Sequence, residues 1–253
     1  MSFLFHELLY RPLFNLITGL YNLTGDLGVA IILVTILVRI LMLPLYKKNI
    51  QSQREMTLLQ PKIKELQEKY KDDKTKLSES LLNVYKEHNI NPFSGFILLF
   101  AQLPIIIAIY RVADNMFKPD TYPTLYSFIN LPESFNNISL GFVNIAESGN
   151  LFLALLVGIS QYYQISMMID RNKKDAKPKK KVKKSIKNTP AEPDISQMMN
   201  TQMKYMMPVL VTVFAFNLQA AMSFYWIAST SVTIIQEYLI FKKLRKPNLQ
   251  IKS

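Results

Sequence analysis

The chain has 253 residues, 49% of them hydrophobic and 19% charged, with a formal net charge of +12 and no cysteine. The missing cysteine excludes disulfides, thiolate metal sites and cysteine nucleophiles. Nearly charge-free stretches of about 17–22 residues, the length a membrane helix requires, alternate with charged segments that cannot enter lipid, so the positive charge reads as topology rather than nucleic-acid affinity.

In chain order, residues 1–26 come first. Leu4, Leu8 and Leu9, then Leu13, Phe14 and Ile17, recur at helical spacing, which predicts an amphipathic helix on the extracytoplasmic membrane surface. Glu7, Arg11 and Pro12 interrupt the apolar run that a secretory signal needs. The first span is 27–45, with Asp26 as its cap and Pro44 bending its exit. Residues 46–91 carry two short apolar seams, Met56, Leu59, Ile63, Leu66 and Tyr70, then Leu77, Leu81 and Val84. Around the polar turn Lys71–Lys74 they predict a cytoplasmic helical hairpin, with Pro61 kinking or restarting its first helix.

The second span is 92–112, and residues 113–149 form a polar extracytoplasmic loop with one short surface helix. The third span is 150–169. Residues 170–202 are a basic cytoplasmic linker, low in complexity over Arg171–Asp194 and expected to be disordered. The fourth span, 203–216, is short, ~21 Å at ~1.5 Å per residue. Asn217–Gln219 turns the chain into the fifth span, 220–241, and 242–253 is a basic tail. There are ten Lys and Arg in 46–92, eleven in 170–205 and five in 242–253, against one each in 113–148 and in the first 26 residues. Under the positive-inside rule, five spans with the N-terminus outside and the C-terminus in the cytoplasm satisfy every segment.

Arg39 breaks the rule of the first span, "LGVAIILVTILVRILMLPLYKKN". A charge at the centre of a span costs at least ~2.5–3.5 kcal/mol. Taken alone, Arg39 reads equally as a snorkelling arginine near the cytoplasmic headgroups. Its neighbours add weight to a second reading. Thr35 shares its face one turn back, and Tyr225, Ser229, Thr233 and Gln236 form a polar stripe down the fifth span. Gln102 stands in the second span, Gln161 and Gln164 in the third. Each alone reads as an interhelical hydrogen bond in a dry bundle. Together, with Glu237 set apart at a cytoplasmic helix end, they imply a hydrated cavity in the cytoplasmic half that carries one positive charge.

The segments "VRILMLPLYKKNIQSQREMTLLQPKIKELQEKYKDDK", "NINPFSGFILLFAQLPIIIAIYRV" and "MKYMMPVLVTVFAFNLQAAMSFYWIASTSVTIIQEYL" together resemble the YidC family of membrane protein insertases. The resemblance runs from the first span to the fifth and implies a minimal five-span form: an all-α polytopic membrane protein with five helices around a cytoplasm-facing hydrophilic groove, sealed outside. It implies that Arg39 is the groove arginine and that Thr35 and Tyr225 line the substrate path. Ile106 and Ile109 would present a hydrophobic slide to a passing helix, and the hairpin would act in substrate capture.

The function expected is insertion and folding of nascent membrane proteins in a bacterial plasma membrane. Expected partners are those nascent chains and anionic lipids, with the ribosome and the Sec translocon as further partners. No catalytic residue, cofactor, metal or small-molecule substrate is expected, and the sequence has no glycine-rich phosphate loop. The alternative is a small anionic-solute transporter or channel using the same arginine.

Overall fold

The computed structural model describes residues 3–88, 90–91, 94–123, 125–175 and 195–244. Residues 176–194 of the predicted linker and the predicted tail beyond 244 lie outside the described residues, while 195–202, also predicted as linker, are helical. The fold is all-α apart from two strands of two residues each.

The N-terminal rod is α1 (Phe3–Phe5), a π-turn (His6–Tyr10) and α2 (Arg11–Thr24). Pro12 offers no N–H to the preceding turn, which loosens to π spacing just before it. Of the apolar stripe predicted to lie on the membrane, Leu9, Leu13, Phe14 and Ile17 face the bundle instead. Tyr10, Leu13, Phe14 and Ile17 are buried in the main core. Phe14 stacks on Tyr122 of the following loop at 5.2 Å, and Asn15 Oδ1 accepts from the Tyr126 N–H at 2.8 Å. Leu4, Leu8 and Leu23 keep the exposed side. Gly25, with φ of 70°, ends α2 in the left-handed conformation that glycine takes freely.

Asp26 caps α3 (Leu27–Leu41) by accepting from the Val29 N–H at 3.0 Å. The same carboxylate accepts from Ser139 Oγ at 2.5 Å and from the Leu140 N–H at 2.6 Å. Burial alone would raise this carboxyl; the hydrogen bonds from Ser139, Leu140, Val29 and Gly28 outweigh it and hold it below the usual carboxylate range. A depressed folded value stabilises the fold above the unfolded pKa of ~3.9, and the contribution fades as pH falls through the folded value. Asp26→Ala is therefore expected to cost ~1–2 kcal/mol at neutral pH. In detergent, the gap in thermal unfolding between it and the parent should close as the buffer is acidified. A gap that is flat with pH would contradict this account.

Met42 breaks the chain between α3 and α4 (Leu43–Lys69), which meet at 61°. Pro44 occupies the first turn of α4, where its missing N–H has no partner to lose. The helix of the first span thus ends four residues short of the predicted Leu45. Pro61 neither stops nor restarts α4, which runs unbroken through it. After a turn at Tyr70–Asp73, Asp73 caps α5 (Lys74–Glu87) through the Lys76 N–H at 3.0 Å. Tyr46, Asn49 and Ile50 are buried near Met42, and Ile63 and Val84 farther along the hairpin.

α6 (Ser94–Asn115) follows, then a loop with a 3₁₀ turn at Pro119–Thr121 and a hairpin of β1 (Ile138–Ser139) and β2 (Val143–Asn144). α7 (Leu151–Asp175) runs into the predicted linker. α8 (Ile195–Asn217) has 23 residues, ~34 Å at ~1.5 Å each, so the helix is not the short one predicted; only its apolar part is. α9 (Ala220–Leu244) closes the fold.

The core joins α2, α3, α6 and α9 through Leu27, Ile31, Val34, Ile109, Val112, Met222 and Tyr225. α7 packs along α8, where Gly158 faces Thr212 so closely that a Cβ would overlap its hydroxyl. Among the described residues, Leu151–Arg171 qualifies singly by length and hydropathy to cross a membrane, and α3 with α4 qualifies as one bent pair. α9 is diluted by Ser223, Ser229, Thr230, Thr233, Gln236 and Glu237, all of them buried.

Candidate functional site

Arg39 lies in the last turn of α3 and reaches across to α9. Its Nε donates to Ser229 Oγ at 2.9 Å, and an Nη donates to the same oxygen. Gln236 Nε2 donates to the Arg39 carbonyl at 3.1 Å. The arginine is thus held by a hydroxyl, and no carboxylate lies within ion-pair distance among the described residues. A guanidinium has five N–H donors, so more remain than Ser229 takes.

They meet a cavity of about 200 Å³, large enough for several waters. Arg39, Gln161, Gln164, Thr230, Thr233 and Glu237 line it, and the first turns of α4 contribute Tyr46, Asn49, Ile50 and Gln53. The buried Oε1 atoms of Gln236 and Gln102, neither of which lines the cavity, have no hydrogen-bond partner among the described residues.

The predicted site residues divide into three groups. Arg39, Gln161, Gln164 and Thr233 line the cavity. Ser229 and Gln236 do not line it but hold Arg39 in place. Thr35, Tyr225 and Gln102 lie outside it. Thr35 is buried and bonds back to its own helix at Ile31 O, 2.7 Å away, and Gln102 Nε2 donates to the buried Tyr225 hydroxyl. In the predicted slide, Ile106 is half-buried and Ile109 only 1% exposed, so Ile109 is core and not a surface for a passing helix. The outward strip of α6 is Phe100, Leu103, Ile107 and Tyr110.

Sequence reasoning set Glu237 apart, yet it lines the same cavity as Arg39. Its Oε1 accepts from Tyr46 Oη at 2.9 Å and from Gln164 Nε2 at 3.0 Å, and its Oε2 pairs with Arg171 at 3.4 Å. The cavity therefore carries a carboxylate as well as a guanidinium, not one charge. Arg171, predicted to start a disordered linker, is helical and lies over the Phe241 ring. The signal was present: Glu237 is four residues after Thr233 and continues the stripe. Tyr46, Asn49 and Gln53 were missed because their place depends on the bend at Met42.

A helical bundle with apolar outer faces and a polar, charged cavity inside defines a helical membrane protein with an internal hydrophilic site. The sequence profile of the family described as 60Kd inner membrane protein matches residues 19–247, and the chain belongs to that family. It is 32% identical over 239 residues to the membrane protein insertase YidC of Tolumonas auensis, covering 94% of this chain and 37% of that protein. It is 32% identical over 234 residues to the YidC of Helicobacter pylori, covering 92% and 36%. The fold is similar to a crystal structure described as an active YidC insertase with its first transmembrane domain resolved, with a TM-score of 0.59 and 22% identity, covering 94% of this chain and 47% of that one. The chain spans little more than a third of the length of the curated relatives it matches.

Proposed function

We propose that the protein is a membrane protein insertase of a bacterial inner membrane. In this reading α3, α6, α7, α8 and α9 are five spans around a groove open to the cytoplasm, with the N-terminal rod outside and the α4–α5 hairpin inside. The names of the relatives and the loop charges support it. The observation that carries it is Arg39, held by Ser229 with no carboxylate in ion-pair distance among the described residues, beside a polar cavity.

The physics is a shortened dry path. Each unpaired backbone group in hydrocarbon costs several kcal/mol. Water reaching the cavity solvates a polar segment partway across the bilayer, and Arg39 offers an acidic tail a resting place. The membrane potential, positive outside, then favours outward movement of a negative charge by ~2.3 kcal/mol per ~100 mV for a full crossing. The adjoining apolar helix leaves sideways into lipid, its preferred solvent. Nascent membrane proteins are the clients, the hairpin captures them, and the basic segments contact anionic lipid and, during synthesis, the ribosome or the Sec translocon.

The absence of native cysteine makes the test direct. Gln161→Cys is expected to react with a membrane-impermeant thiol reagent added from the cytoplasmic side, faster than Ala154→Cys in the α7–α8 contact. Equal, negligible labelling of both would sink the hydrated groove.

A further inference from the structure

The extracytoplasmic β-hairpin has an apolar tip that nothing inside the protein explains. Ile138 pairs with Asn144 and Ser139 with Val143, leaving Leu140, Gly141 and Phe142 at the tip, with Leu140 and Gly141 central in a turn closed by the Phe142 N–H on Ser139 O at 3.2 Å. Both take positive φ, 52° at Leu140 and 80° at Gly141. Turns of that kind favour Asn, Asp or Gly at both places, and a leucine there is strained. The usual excuse for such a leucine is packing, but Leu140 is 50% exposed and Phe142 74% exposed. Ser139 and Val143, beside them, are the buried ones. Residues 134–146 carry no charge at all.

The position of the tip is set by Asp26, which accepts from the Ser139 hydroxyl and the Leu140 N–H while capping the first turn of α3. The tip is therefore held at the level where α3 begins. α3 has 15 residues, ~22 Å at ~1.5 Å each, which is short of the ~30 Å hydrocarbon thickness. A tip fixed to its first turn sits at the membrane boundary, not clear of it. Aromatic and aliphatic side chains at that depth are favoured by the interface.

We propose that Leu140 and Phe142 form a wedge that inserts into the acyl-chain boundary of the extracytoplasmic leaflet, with lipid as its partner. The proposal rests on the reading of the bundle as membrane-spanning. Lipid supplies the burial that the strained leucine lacks inside the protein. The absence of charge keeps the wedge from being held at the headgroup phosphates. Asp26 couples its depth to the start of α3, so the wedge fixes the height of that helix in the bilayer.

The test uses the full chain in proteoliposomes with Trp226, the single tryptophan, replaced by Phe. Three reporters are compared: Phe142→Trp at the tip, Ile159→Trp on the exposed face of α7, and Lys74→Trp on the cytoplasmic hairpin. The expected result for Phe142→Trp is strong quenching by lipids brominated near the headgroup end of the chain, blue-shifted emission, and iodide quenching several-fold weaker than for Lys74→Trp. Adding Leu140→Gly, which suits the positive φ, should leave unfolding in detergent unchanged or later while shifting the tip emission to the red. Quenching of Ile159→Trp but not Phe142→Trp by brominated lipid, with the tip as open to iodide as Lys74→Trp, overturns the wedge and leaves the spanning bundle intact. Insensitivity of Ile159→Trp to brominated lipid overturns the spanning reading and the wedge with it.

Discussion

Arg39→Glu is expected to reduce insertion of acidic-tailed clients by ~tenfold or more and to spare basic-tailed ones. Two unit charges ~4 Å apart at an effective dielectric of ~20 interact by about 4 kcal/mol. Reversing the charge turns an attraction of that order into a repulsion. Water in the cavity screens most of it, and a residual ~1.4 kcal/mol already gives the tenfold change. Arg39→Lys keeps the charge and one bond to Ser229 and should retain most activity. The measurement is protease protection of the translocated tail in proteoliposomes, with paired clients that differ only in tail charge. Equal loss for both tails would assign Arg39 to holding α3 against α9 and remove it from client attraction. Glu237 sharpens the contrast, because once Arg39 is reversed the cavity holds two carboxylates.

Gly28→Ala is expected to destabilise the fold by ~1–3 kcal/mol, the usual range for overpacking. A Cβ on Gly28 would overlap the Ser139 hydroxyl and press on the Phe224 ring, whose nearest carbon would be 2.9 Å away. Ser139 is fully buried and donates to Asp26, so it cannot retreat without breaking that bond. The lack of a side chain at Gly28 thus lets the β1–β2 hairpin dock against α3 and α9. Thermal unfolding in detergent measures the loss. Ser139→Gly should cost less in the Gly28→Ala background than alone, because neighbours in contact are not additive. Strict additivity of the two changes would show that the close approach is not what matters.

The sequence made the helices legible because apolar runs and caps are local signals. Asp26 caps where expected, the predicted polar turn ends in a cap at Asp73 that was not foreseen, and the stripe from Tyr225 to Gln236 lies on one inward face of α9. It did not show which stripe residues face water. Thr35 and Thr233 both bond back to their own helix, yet only Thr233 lines the cavity. That difference depends on how deep α4 reaches, a tertiary fact fixed by the 61° break. Ile109 failed as a slide residue because periodicity along one helix marks a face without saying whether lipid or protein lies opposite. The amphipathic N-terminal rod failed in the same way: Leu13, Phe14 and Ile17 of its predicted stripe face the bundle, while Leu4 and Leu8 do not.

The break at Met42 has a mechanical consequence. Tyr46 and Ile50 clamp the first turns of α4 to Ile240 of α9, while farther along Ile63 of α4 and Val84 of α5 are buried within the hairpin. The near part is a bracket fixed to the bundle and the far part is a cantilever. Force applied to the hairpin tip is therefore expected to bend α4 past Gln53 before it disturbs the bond between Arg39 and Ser229.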